Sequence, residues 1–323
     1  MRMKKKTVKF IYSDWRKMKG MLVKESTLST YSTNTEKHIL PVFGDKENIS
    51  EAEVQQFVFS LIDKGLNIKT VRDILLTLRM IVNHGIRMGC MTWSDWNIKL
   101  PRSEESKTIK VFSIEQQKIL MEYLKSHLSF RNLGLYICLC TGMRIGEICA
   151  LKWNDIHLDS RVIMVSRTIE RVYVIDKDKK YTKIIIGSPK TGTSRREIPI
   201  STDLIKFLKP IMTIVNGNHY LLTNTGKALE PRIYRRHYIK IIKQLNLPNI
   251  KFHGLRHTFA TRCIESNCDY KTVSSILGHA NISTTLNLYV HPDLGQKRKC
   301  IDRMLKFVKQ VHPYNKNHSF KNK

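Results

Sequence analysis

Residues able to hold and attack a phosphate crowd the C-terminal quarter of this 323-residue chain. His253-Gly254-Leu255-Arg256-His257 is followed by Leu277-Gly278-His279 and then by Tyr289. Upstream, Thr141-Gly142-Met143-Arg144-Ile145-Gly146-Glu147 supplies a second arginine in a largely apolar setting. A guanidinium stays charged and its planar fork binds two phosphate oxygens at once, while an imidazole both donates and accepts. A phenol placed after such groups could attack the phosphorus they hold. The set describes a site for breaking and rejoining a phosphodiester through a covalent tyrosine.

That chemistry makes demands on the neighbours. Tyrosine has an unperturbed pKa of about 10, so roughly one molecule in a thousand is phenolate at pH 7, a deficit of about 4 kcal/mol. A base or positive charge must therefore sit close to Tyr289. His253 and Arg256 are three apart, which puts them on one face of a helix, with the small Ala260 one turn on. His257 is expected to point elsewhere. Arg144 precedes the short amphipathic run Ile145–Leu151 and can project from a helix start, where free N–H groups also favour phosphate. Glu147 could orient an arginine or cap that helix.

Taken singly, each feature has an ordinary explanation. A tyrosine beside Leu286, Leu288 and Val290 is commonly core, His-x-x-Arg is frequent by chance, and Leu-Gly-His can be a helix C-cap. The weight lies in their joint order and spacing with Arg144 upstream. Lys190 has Lys179, Lys180 and Lys183 nearby, and a hairpin lysine is commonly solvated.

The elements that would position these groups read as mainly α with a small antiparallel β-sheet (α+β). Residues 8–89 form a helical domain. Ser50-Glu51-Ala52-Glu53 is a capping box opening a helix to about Lys64, stopped by Gly65. Val71, Ile74, Leu75, Leu78, Ile81, Val82 and Ile86 mark one face of a helix from Lys69 to near Gly89. An earlier helix, Thr27 to Leu40, is expected to end before Pro41, with an exposed side able to contact phosphate. Residues 90–110 lose periodicity and read as an extended linker. Ser113-Ile114-Glu115-Gln116 opens a helix to about Leu128, and another spans Phe130–Cys140. β-rich runs follow at Arg161–Ser166, Thr182–Gly187 and Glu197–Ile200, with Lys190 in the turn-rich segment between the last two. Helices then continue to about Val311, giving a second domain over 111–311 that ends in an amphipathic stretch, 293–311. Residues 312–323 form a basic tail.

Charge narrows the partner. Fifty-six Lys and Arg against 27 Asp and Glu give a formal net charge of +29, a self-repulsion that a polyanion, most commonly nucleic acid, relieves. No run of about 18 apolar residues could span a bilayer, and Thr7–Trp15 forms no apolar signal core, so a cytoplasmic protein with no membrane partner is expected. Seven cysteines without CxxC spacing suit neither a disulfide framework nor a zinc site; reduced, buried thiols are expected.

Over about residues 10–295, and most strongly in 141–151 and 253–291, the chain resembles the tyrosine recombinases of the phage integrase family. The resemblance implies a helical SAM-like core-binding domain followed by a catalytic domain, closing as a C-shaped clamp on double-stranded DNA at core-type sites. It implies that Arg144 and Arg256 clamp the scissile phosphate and that Tyr289 attacks it to give a 3′-phosphotyrosyl link and a free 5′-hydroxyl. Lys190 would protonate the leaving oxygen, His253 would move a proton, His279 would hydrogen-bond the phosphate, and Glu147 would support them from behind. No cofactor and no metal are implied, since two arginines and a lysine supply the positive charge. The 293–311 helix would dock on a neighbouring protomer in a homotetramer on two duplexes, or else pack on its own domain. With the helical domain starting near residue 8, no additional arm-binding domain is expected. The expected function is integration or excision of a mobile element, with an accessory or directionality protein as a further partner. Chromosome-dimer resolution, type IB topoisomerase activity and a catalytically silent DNA-binding accessory protein stay open as alternatives.

Overall fold

The computed structural model describes residues 6–92, 95–101, 109–176, 179–187, 195–279, 281–283, 285–286, 298, 301–306 and 308. Lys190 and Tyr289 lie outside the described residues, as do most of the 293–311 stretch, the 312–323 tail and part of the 90–110 segment.

Local signals place the first helices. α1 (Val8–Leu22) is capped by Thr7, whose side chain accepts from the Phe10 N–H. α2 (Glu25–Asn34) runs through a π-turn, Thr35–Ile39, into α3 (Leu40–Phe43). The expected stop before Pro41 is therefore wrong. A proline ring clashes with the carbonyl four residues back in regular α-helix. Here the π register, with the Leu40 N–H on the Thr35 carbonyl, changes that spacing and lets the helical path continue with proline in the first turn of α3. α4 (Glu51–Asp63) has the reciprocal Ser50–Glu53 capping box. α5 (Ile68–Arg87) is capped by Asn67. Gly65 and Gly89 after them are left-handed.

Apolar faces of α1, α4 and α5 close one cluster around Trp15, Phe43, Phe57, Ile74 and Leu78. Cys90, Met91 and Trp96 are buried in it, so the start of the extended segment is packed rather than free. Gln55 and Lys99 exchange hydrogen bonds of 2.9 and 3.0 Å there. A second cluster extends from Phe112 to Leu255. It gathers α6 (Ile114–Ser126), α7 (Phe130–Thr141), α8 (Ile145–Ala150), α9 (Thr202–Met212), α10 (Pro231–Gln244) and the start of α11 (His253–Glu265). α12 (Tyr270–Leu277) packs on α11 through Ala260, Val273 and Leu277.

Among the described residues the β-structure is two small antiparallel sheets. β1 (Ile156–His157), β2 (Val162–Val165) and β5 (Arg196–Pro199) form an antiparallel sheet in the order β1-β2-β5. β3 (Thr168–Asp176) and β4 (Lys179–Gly187) pair separately, from Thr168 opposite Gly187 to Asp176 opposite Lys179. β3 was not anticipated: Thr168-Ile-Glu-Arg-Val-Tyr-Val-Ile-Asp lacks the period-two alternation of a strand, with Ile169 and Val172 buried on opposite faces and charges on both. β4 and β5, expected as neighbours flanking Lys190, belong to different sheets.

The β3–β4 ribbon reaches the first helical unit. The Tyr173 N–H donates to Ser29 Oγ at 2.6 Å, Arg16 donates to the Ile175 carbonyl, Lys180 pairs with Glu36, and Lys183 pairs with Glu25 at 2.7 Å. The side of α2 expected to be free for phosphate is thus partly covered, because β3 offers backbone donors and β4 lysines to its serine and glutamates. Among the cysteines, Cys90, Cys138 and Cys149 are buried, Cys140 and Cys263 half-buried, and Cys268 exposed, against the expectation of uniform burial. Cys268 lies in the turn after α11, within a run of exposed residues, 265–272. Cys300 lies outside the described residues. Residues 301–306 are helical, with Ile301, Met304 and Leu305 exposed. Among the described residues, no helix is long and apolar enough to cross a membrane.

Candidate active site

The site is assembled where three helix ends meet: the C-terminus of α7, the N-terminus of α8 and the C-terminus of α12. α7 ends at Gly142 in the left-handed region (φ 66°). A Cβ there would lie 2.6 Å from Phe259 and 2.7 Å from Leu277, so only glycine permits both the turn and the approach of α11 and α12. Two residues on, Arg144 is the N-cap of α8, in extended backbone. Glu147 accepts the Arg144 backbone N–H on Oε2 at 2.8 Å and its Nη1 on Oε1 at 2.8 Å. It thus caps the helix and orients the arginine, the two roles weighed from sequence. Arg144 Nη2 donates to the Gly278 carbonyl at 3.1 Å.

Arg196 was not picked out from sequence. Its Nη1 and Nη2 each donate to one Glu147 oxygen at 3.0 Å, and its Nε donates to the Ile276 carbonyl at 2.6 Å. Burial raises the Glu147 pKa, but Arg196 first and Arg144 next outweigh it and hold the carboxyl below its ordinary range.

α11 supplies the rest. Arg256 is buried; Nη1 donates to the Gly142 carbonyl at 2.9 Å and Nη2 to the Leu277 carbonyl at 2.7 Å. Both arginines therefore converge on the last carbonyls around α12, the negative end of that helix. Close packing of α11 needs Gly254, where a Cβ would lie 2.1 Å from Ile250. The Phe112 N–H donates to Thr258 at 3.1 Å and Arg262 to the Phe112 carbonyl at 2.8 Å, pinning α11 to the segment before α6.

His253 stays accessible at its surface, yet protein atoms and cations crowd it. Desolvation, then His257, Arg256 and Arg144, bring its pKa down to about 4. His257 does not point elsewhere, as expected from its offset: its ring stands edge-on to His253, with centroids 4.6 Å apart. A four-residue step brings it back over the preceding turn. His279 is half-buried, and desolvation followed by Arg256 and Arg144 lowers its pKa to about 4. Its Nδ1 contacts the hydroxyl of Thr285 at 2.8 Å, and Thr285 is fully buried. Thr285 was also missed; its only sequence signal is its place four positions before Tyr289.

Arg144, Glu147, His253, Arg256 and His279 are thus brought together, while Lys190 and Tyr289 fall outside the described residues. A cleft of about 430 Å³ lies beside them, lined by Arg195, Arg196, Lys271, Gly278 and His279. Cationic walls and the imidazole of His279 suit an anion that accepts hydrogen bonds. Among the described residues, no group of three His, Cys, Asp or Glu side chains is placed to hold a metal.

The chain is similar to known proteins in sequence and in fold. Residues 110–295 match the phage integrase family, and residues 7–62 match the phage integrase N-terminal SAM-like domain. A tyrosine recombinase XerC-like protein of Caldanaerobacter subterraneus is 31% identical over 280 residues, covering 79% of this chain and 71% of that protein. The transposase of transposon Tn916 from Enterococcus faecalis is 23% identical, covering 76% of this chain and 64% of that protein. The fold is similar to that of the Tn1549 transposon integrase in complex with a circular intermediate DNA (TM-score 0.73, 21% identity, 92% of this chain and 99% of that one). It is also similar to a lambda integrase tetramer bound to a Holliday junction (TM-score 0.63, 19% identity, 87% of this chain and 78% of that one). A match over more than half its length, to the family and to a relative of this identity, establishes that the chain belongs to the phage integrase family, the tyrosine-type site-specific recombinases.

Proposed function

We propose that the protein integrates or excises a mobile element by cleaving and rejoining DNA through Tyr289. The observation that carries this reading is the convergence of Arg144 and Arg256 on the carbonyls around the end of α12, next to His279. A phosphate entering there meets two guanidiniums in place of backbone carbonyls. In the proposed reaction the Tyr289 oxygen attacks phosphorus, the bond to the 5′-oxygen breaks, and Lys190 delivers a proton to that oxygen. His253, held neutral, accepts the phenol proton, and His279 donates to a non-bridging oxygen. Attack by a 5′-hydroxyl of the second duplex reverses these steps and joins the exchanged strands. Glu147 keeps Arg144 in place. Each preorganised donor to the developing charge contributes roughly 100- to 1000-fold in rate.

Core-type sites on double-stranded DNA are the proposed substrate, bound chiefly through phosphates with an affinity that falls steeply with salt. The names of the Tn916 transposase and of an ICEBs1 integrase relative support the mobile-element role, and the lambda integrase tetramer supports a homotetramer. The enzyme would act in the cytoplasm, with an accessory or directionality protein.

The test is a denaturing-gel shift with a nicked, labelled attachment site from DNA flanking the gene. A covalent band absent from Tyr289→Phe, with DNA binding retained, is expected. An adduct persisting in Tyr289→Phe would overturn the nucleophile assignment, and binding without any adduct would favour a silent accessory protein.

A further inference from the structure

We propose that Arg196 is a positioning residue of this active site, acting through Glu147 to keep Arg144 both aimed and electrically available to the scissile phosphate. The inference rests on the reading that Arg144 contacts that phosphate.

A buried carboxylate beside a phosphate-binding arginine poses a difficulty. Glu147 and Arg144 alone would cancel, and the guanidinium would be held by the carboxylate instead of the substrate. Arg196 changes the balance. Its two Nη groups take one Glu147 oxygen each at 3.0 Å, in the parallel fork that matches carboxylate geometry. Arg144 Nη1 shares Oε1 at 2.8 Å, and the Arg144 backbone N–H takes Oε2 at 2.8 Å. Every direction of acceptance at the carboxylate is occupied, and two cations against one anion leave a net charge of +1 at the Arg144 end. The Arg196 side chain is only 6% exposed and that of Glu147 2%, so solvent does little to screen the arrangement.

The same residue sets geometry. Arg196 opens β5 opposite Val165, and its Nε holds the Ile276 carbonyl one residue before the Leu277 carbonyl that Arg256 takes. Arg196 thereby joins the sheet, α8 and the end of α12, the three pieces on which Arg144, Arg256 and His279 depend. A lysine would keep the charge but cannot make the parallel pair and the third bond together.

The experiment is single-turnover cleavage of a suicide duplex by full-length Arg196→Met, Arg196→Lys and Arg144→Ala. Each is run on the normal scissile phosphate and on a methylphosphonate, in which a methyl group replaces one non-bridging oxygen and removes the charge. DNA affinity and thermal melting are read alongside. Arg196→Met is expected to lose roughly 10- to 100-fold on the phosphate, less than Arg144→Ala, with DNA affinity retained. Both variants should recover most of their loss on the methylphosphonate, where less positive charge is required. Arg196→Lys should lie between wild type and Arg196→Met; it also carries the comparison should Arg196→Met fail to fold. A defect that only loosens the fold would lower both substrates by one factor, and that result overturns the proposal. So does normal phosphate cleavage by the Arg196 variants while Arg144→Ala is inactive. Normal cleavage by Arg144→Ala would instead remove the reading on which the proposal rests.

Discussion

Arg256→Ala should damage stability and catalysis together, and the two losses have separate sources. In the protein Arg256 is buried, with one Nη on the Gly142 carbonyl at 2.9 Å and the other on the Leu277 carbonyl at 2.7 Å. A hydrogen bond to a charged donor contributes about 1.5–3 kcal/mol, so losing both costs about 3–6 kcal/mol. Water entering the vacated space offsets part of this, leaving about 3 kcal/mol. For a unit of about 200 residues that lowers Tm by about 6–12 °C. The cleavage rate should fall by roughly 100- to 1000-fold, the loss typical of one preorganised donor. Arg256→Lys separates the effects: its ammonium recovers charge but cannot span both carbonyls, so part of the stability returns with little of the rate. Differential scanning calorimetry and a suicide-substrate cleavage assay at saturating protein measure the pair. A melting point within a degree or two of wild type would refute the tie between α7 and α12. Cleavage at the wild-type rate would refute the place of Arg256 at the phosphate.

The histidines predict acid sensitivity. His253 and His279 fall from an ordinary 6.5 to about 4 in the folded protein, so unfolding takes up protons between those values. Their contribution is complete above pH 6.5 and is lost as pH falls toward 4; urea melts across that range should show it, with a shallower slope in His279→Asn. An unchanged slope in that variant would count against the shift. Phosphate binding beside the same rings should raise their pKa values, so binding of a nicked site near pH 6 should be accompanied by proton uptake, readable by calorimetry in buffers of different ionisation enthalpy. No buffer dependence would place the histidines away from the phosphate. Gly142→Ala should cost more than the about 1 kcal/mol expected from backbone strain alone, because its Cβ would press within 2.7 Å of Phe259 and Leu277. Calorimetry showing a neutral or stabilising substitution would mean that α11 and α12 give way there.

Much of this protein could be read from local order in the chain. Ser50 with Glu53 and Ser113 with Gln116 closed as capping boxes, and the apolar face Val71 to Val82 was buried as its spacing required. Such features depend on residues three or four apart. The local geometry of the candidate site was legible for the same reason: His253 and Arg256 share a helix turn, and Arg144 and Glu147 share a capping box. What tertiary structure alone decided lies at long separation. The Arg196–Glu147 pair spans 49 positions, and nothing distinguishes Arg196 in sequence among the chain's 56 Lys and Arg residues. The contact of β3–β4 with α2 spans 144 positions at Tyr173 and Ser29 and covers part of the side expected to be exposed on that helix. Pairing of β2 with β5 rather than β4 with β5 was likewise a choice among strands with similar apolar content. Short-range periodicity and caps are written in residue types, whereas the partner of a buried charge is chosen by which surfaces the packed core brings within 3 Å.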